Sequence, residues 1–111
     1  MADQISMVED GGDHRLVLIP TSGTEVTFQI VGSETSANDT DTIKYMDTNK
    51  TRTRFSITAN TDFEILSIDG TTFTDPIPVD ANTRYTETNS RISDIKIKTG
   101  AANSTVSLRV R

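Results

Sequence analysis

Apolar and polar residues alternate with a period of two along most of this chain, the pattern of strands that bury one face. In Thr24–Val31, Val26, Phe28 and Ile30 point one way and Thr27 and Gln29 the other. "KTRTRFSITA" sets Thr51, Thr53, Phe55, Ile57 and Ala59 on one face against Lys50, Arg52, Arg54, Ser56 and Thr58 on the other. "RLVLI" (Arg15–Ile19) is an unbroken apolar run ended by Pro20, which suits a strand covered on both faces. "TIKYM" predicts a short strand after the polar loop "GSETSANDTD".

Further along, "FEILSIDGTTF" carries Asp69-Gly70, a hairpin signal because a type I′ turn needs positive φ at both central residues. That register sets Ile68 opposite Thr71 and Leu66 opposite Phe73. Parity changes within this stretch: Phe63 and Ile65 are odd, Leu66 and Ile68 even, so either a β-bulge intervenes or both faces are covered. If both are covered, one of the two sets contacts another subunit. Pro76 and Pro78 mark an edge strand, since proline brings no N–H to a central ladder. At the end of the chain, with "GAAN" as the loop, Ile97 would pair with Val106 and Ile95 with Leu108, and Asp94 would oppose Arg109. Lys96, Lys98, Arg109 and Arg111 would then share one outward face.

No helical i, i+3, i+4, i+7 pattern competes with these strands. The reading is all-β: a single-domain antiparallel β-sandwich over residues 13–111, Ig-like or jelly-roll in type, with about eight or nine strands. Residues 1–12 form an N-terminal arm in which Ile5, Met7 and Val8 lie beyond Gly11-Gly12, positioned either to add a strand to their own sheet or to reach a neighbour.

Composition narrows the function classes. The 111 residues include 33% hydrophobic residues and 19 Thr, an excess that favours solvated sheet faces. There is no Cys, hence no disulfide framework, thiolate nucleophile or Cys-based metal site. No signal peptide or membrane span is legible, so the chain reads as made in the cytoplasm, and the sequons at Asn38, Asn49 and Asn103 are chance matches. His14 is the one histidine and reads as a solvated residue at a strand entrance. Without a phosphate loop, a zinc motif or a triad, no enzyme is expected, and no cofactor. Glu34, Asn38, Asp39 and Asp41 offer oxygen ligands in one loop, but they lack the spacing of a calcium hand, and no metal site is assigned to them.

A pI of 4.7 and 5% aromatics argue against nucleic acid, and the lack of Trp argues against a sugar platform built on Tyr45 and Tyr85. Charge is unevenly placed. Residues 1–50 hold nine acids and three bases, a net of −6, while the remainder holds seven acids and eight bases, a net of +1. The bases of "KTRTR" (Arg52, Arg54) and of the last two strands either dock on an acidic partner or simply keep strand faces solvated.

A Cys-free, Trp-free, Thr- and Asn-rich β chain that opens on Met and closes on "ANTRYTETNSRISDIKIKTGAANSTVSLRVR" resembles the small β-sandwich virion proteins of tailed bacteriophages, capsid decoration or cement proteins in particular. The resemblance is one of style over the whole chain, so it transfers no residue roles. It implies a structural virion protein that stabilises a capsid by binding the major capsid protein and associates with copies of itself, with no nucleic acid or membrane as partner. The alternative is an adhesion or ligand-binding β-module, from a receptor-binding fibre, a tail or neck component or a carbohydrate-binding domain. The interface candidates are Ile5, Met7, Val8, Arg52, Arg54, Phe63, Ile65, Lys96, Lys98, Arg109 and Arg111.

Overall fold

The computed structural model describes residues 6–10, 14–31, 42–46, 53–88, 92 and 94–110, with side chains for 16–29, 53–88, 92 and 94–110. The described residues form ten strands: β1 (Ser6–Asp10), β2 (His14–Ile19), β3 (Glu25–Val31), β4 (Thr42–Met46), β5 (Arg54–Ala59), β6 (Phe63–Ile68), β7 (Thr71–Val79), β8 (Tyr85–Thr88), β9 (Asp94–Thr99) and β10 (Ser104–Val110). Sheet 1 has the order β1-β2-β10-β5-β8 and sheet 2 the order β4-β3-β9-β6-β7. With β1 and β4 set aside as additions at one edge of each sheet, the remaining eight strands renumber to 1-8-3-6 and 2-7-4-5, the two-Greek-key order of a jelly roll. All neighbours are antiparallel except β3 and β4, which pair in parallel.

The period-two pattern builds this sandwich directly. Val26 and Phe28 of β3, Phe55 and Ile57 of β5, Ile95 and Ile97 of β9, and Val106, Leu108 and Val110 of β10 are all at most 1% exposed between the sheets. β2 departs from its apolar run: Val17 and Ile19 are buried, but Leu16 and Leu18 stay partly exposed on the outer side of sheet 1. Only its inner face is packed, since nothing among the described residues covers the other. β7 lies at the edge of sheet 2, where Pro76 and Pro78 leave no central ladder without a donor.

The parity change in β6 is a bulge. Ile65 faces Ile97 and Ser67 faces Lys96, so two steps along β6 match one along β9 and Leu66 is the extra residue. The inward row therefore shifts from Phe63 and Ile65 to Ile68 without a second covered face. Phe63, Ile65 and Ile68 are 2%, 0% and 4% exposed within the protein's own core, and Leu66 is half-buried. This corrects the expectation that Phe63 and Ile65 meet another subunit. The turn after β6 matches expectation, with Asp69 at φ 53° and Gly70 at φ 79° and Ile68 opposite Thr71. The ladder then breaks before the expected pairing of Leu66 with Phe73.

The largest departure concerns the end of the chain. β9 pairs with β3 and β6 in sheet 2, and β10 with β2 and β5 in sheet 1, so Gly100–Asn103 arches across the core and no β9–β10 hairpin forms. Two inward apolar rows joined by four residues satisfy the hydrophobic pattern either side by side or face to face. Backbone acceptors distant in sequence favour the arch: Gly100 N–H donates to Asp62 O (3.0 Å), Asn103 N–H to Pro20 O (3.3 Å) and Gly23 N–H to Thr99 O (2.7 Å). Ser104, fully buried, donates to Ala101 O (2.6 Å) and shares a hydrogen bond with Thr61, closing the arch. Asp94 does not oppose Arg109. Its backbone O accepts from Asp69 N–H (2.8 Å) and its Oδ1 from Gly70 N–H (3.1 Å), which ties down the β6–β7 turn.

Of the two possibilities for the N-terminal arm, Ser6–Asp10 takes the first: β1 adds to its own sheet against β2, with a register shift between Met7 and Glu9 that places Val8 in a bulge. Ile5 lies outside the described residues, as do the side chains of Met7 and Val8.

Candidate functional site: an arginine-lined hollow on sheet 1

On β5 the inward set Phe55, Ile57 and Ala59 forces Arg54, Ser56 and Thr58 outward, as the alternation predicts. On β10 the buried Val106, Leu108 and Val110 likewise turn Arg109 out, where it is exposed. The ladder brings these together: Arg109 is the Cα partner of Ser56, and Ser56 of Thr86 on β8. Neighbouring strands lie about 4.8 Å apart, so this rung spans about 10 Å. Arg54, Phe55, Ser56, Arg84, Thr86 and Arg109 line a half-open hollow of about 220 Å³.

The electrostatics of this face are one-sided. The outward positions described on β2, β10, β5 and β8 are Leu, Ser, Thr and Arg, with no acid among them, in a chain of net charge −5. Arg54, Arg84 and Arg109 are exposed, and none has an ion-pair partner among the described residues. The acid of β8, Glu87, is turned to the other side, where its Oε1 accepts a hydrogen bond from the Tyr85 hydroxyl at 2.6 Å. Tyr85 packs on Phe55 with ring centroids 6.1 Å apart and planes tilted by 41°.

Burial, and then the hydrogen bond to Glu87 and its charge, push the Tyr85 phenol up to about 12 from its ordinary 10.0. The raised value favours the folded protein while the phenol stays protonated. This contribution is intact below pH 10.0, the unfolded value, and is lost as pH rises through about 12. We expect Tyr85→Phe to remove a phenol ionisation near pH 12 in an ultraviolet titration. A titration in which the lost phenol ionises near 10.0 would count against the burial and the Glu87 contact.

Lys96 and Lys98 do not join this face. They project from β9 on the outside of sheet 2, where Lys96 Nζ is 2.9 Å from Glu25 Oε1 and Lys98 is registered opposite Glu25 on β3 and Glu64 on β6. The single basic face expected for Lys96, Lys98, Arg109 and Arg111 does not form: Lys96 and Lys98 lie on the outer surface of sheet 2 and Arg109 on that of sheet 1. Arg52 and Arg111 lie outside the described residues. Arg84 was missed from the sequence, although it stands two residues before Thr86, with inward Tyr85 between them, and so has the parity of the outward row. Lys96→Glu should lower stability by about 0.5 kcal/mol by setting like charges side by side. Arg109→Glu should change it little, and the two effects should add within about 0.5 kcal/mol in chemical denaturation. Strong coupling between them would place the two residues on one face and contradict the arch.

The calcium candidates Glu34, Asn38, Asp39 and Asp41 fall outside the described residues. Among the described residues no group of three or more His, Cys, Asp or Glu side chains is gathered where it could hold a metal ion. His14 begins β2 as the Cα partner of Arg109, on the same rung as the hollow.

No protein-family model and no curated protein matches the sequence. Among solved structures, the fold is similar to an RmlC-like cupin protein from Desulfovibrio desulfuricans, with a TM-score of 0.50 and 13% identity over 98% of this chain and 81% of that one. A cupin-2 domain containing protein from Shewanella frigidimarina NCIMB 400 aligns with a TM-score of 0.46 and 11% identity over 100% of this chain and 83% of that one. At such identities the first likeness extends to the fold alone, and it agrees with the jelly-roll order read from the sheets: the chain is an all-β sandwich of the kind that cupins share.

Proposed function

We propose that this protein works by docking, as a structural virion protein that decorates and stabilises a capsid by binding the major capsid protein, and that the outer face of sheet 1 is its docking surface. The observation that carries this reading is the outer side of β10, β5 and β8: rows of Ser and Thr hydroxyls around three exposed arginines, with no acid and no ion-pair partner for them among the described residues, in an acidic protein. A face of one sign selects a partner of the other and fixes its register. Jelly rolls recur in viral capsid proteins, which makes the architecture compatible with the role without establishing it.

The hollow favours a second reading, an adhesion or ligand-binding module. Its volume of about 220 Å³ is smaller than the roughly 300–1,000 Å³ of pockets that enclose small ligands. Size therefore ranks docking first. The test is to look for the chain by mass spectrometry in purified particles and to cosediment recombinant protein with particles stripped of it. Saturable cosedimentation is the expected result. Its absence from particles, together with no cosedimentation, would end the virion reading.

A further inference from the structure

We infer that the hollow on sheet 1 is a carboxylate-binding subsite that receives the side chains of an acidic segment of the protein partner. The inference rests on the docking reading and deepens it by naming the chemistry recognised. Three arginines line the hollow from three separate stretches of chain, Arg54 at the start of β5, Arg84 just before β8 and Arg109 near the end of β10. Each presents a planar fork that matches a carboxylate with two parallel N–H···O bonds. Ser56 and Thr86 lie on the same rung and add hydroxyl donors.

The three cations share one hollow with no acid among its described lining residues, and their mutual repulsion is relieved when anions enter. A volume of about 220 Å³ exceeds what one small inorganic anion fills and suits two or three acidic side chains presented together. An acidic peptide is therefore favoured over a free phosphate. On sheet 2, by contrast, Lys96 is already paired with Glu25.

The experiment is an NMR titration of the full chain with acetylated, amidated triglutamate, and separately with inorganic phosphate and sulfate, following arginine side-chain N–H signals and backbone amides. Saturable shifts confined to Arg54, Arg84, Arg109, Ser56 and Thr86 are expected with the peptide. They should weaken by about tenfold or more in R54Q/R84Q/R109Q and persist in K96Q/K98Q. Unchanged backbone amide shifts elsewhere in the triple variant confirm that it is folded.

Tighter binding of phosphate or sulfate than of the peptide overturns the carboxylate assignment. Shifts spread equally over Lys96 and Lys98, or none at all, overturn the subsite. If particles bind the chain but the peptide does not, the subsite falls and docking stands. If the peptide binds and particles do not, the subsite stands and the virion reading falls.

Discussion

Phe55→Ala should lower the free energy of unfolding by about 3–5 kcal/mol, the range for deleting a buried aromatic ring. Phe55 is 1% exposed and sits on β5, between β10 and β8 in sheet 1. Its ring is held on one side by Tyr85, and such aromatic pairs add about 0.5–1.5 kcal/mol beyond the area they bury. Domains are stable by only about 5–15 kcal/mol, so this loss removes a large share of the total. Urea denaturation should show a lower midpoint at an unchanged slope, because the amount of surface exposed on unfolding is the same. Leu66→Ala, at the half-buried bulge position, should cost clearly less. Equal losses at the two sites would mean that the core is not packed as the alternation of β5 implies. The site is linked to this residue, since Phe55 also lines the hollow between outward Arg54 and Ser56.

What the sequence made legible was local. Which way a side chain points depends on its parity within one strand, so Phe28, Phe55 and Leu108 were readable as core and Arg54 and Arg109 as outward from a few neighbours each. The Asp69-Gly70 turn and the edge position of β7 follow from constraints on single residues: positive φ in the first case, a missing N–H in the second. The parity change near Leu66 announced a bulge but left open whether a second face was covered, and the register against β9 decided that.

Sheet membership was not legible in the same way, because pairing is a property of segments far apart in sequence. β10 meets β2 and β5, and the choice of arch over hairpin rests on hydrogen bonds from Gly100 and Asn103 to Asp62 and Pro20. That one choice moves Lys96 and Lys98 to the far side of the molecule and brings Arg109 beside Ser56. Arg84 could be grouped with them only after β8 was known to pair with β5.

Reversing Arg54, Arg84 and Arg109 to Glu together should weaken docking by about ten- to a hundredfold, equivalent to about 1.4–2.7 kcal/mol. Each exposed ion pair contributes only about 0–1 kcal/mol, so the loss accumulates over three sites with no single hot spot. The net charge falls from −5 to −11, two units for each of three reversals. Lys96→Glu with Lys98→Glu is the matched control: it lowers the charge to −9 on the opposite outer face. If the sheet 1 face docks, the control should leave affinity within about twofold, since the Debye length of about 10 Å at 0.1 M salt screens across the sandwich. Raising the salt toward 1 M, where that length is about 3 Å, should shrink the difference between the native protein and the arginine variant. Equal losses in both variants would mean that only total charge matters, and the hollow would have no special role. An arginine variant with native affinity and native salt dependence would mean that Arg54, Arg84 and Arg109 face water. The docking surface would then have to be sought elsewhere on the sandwich.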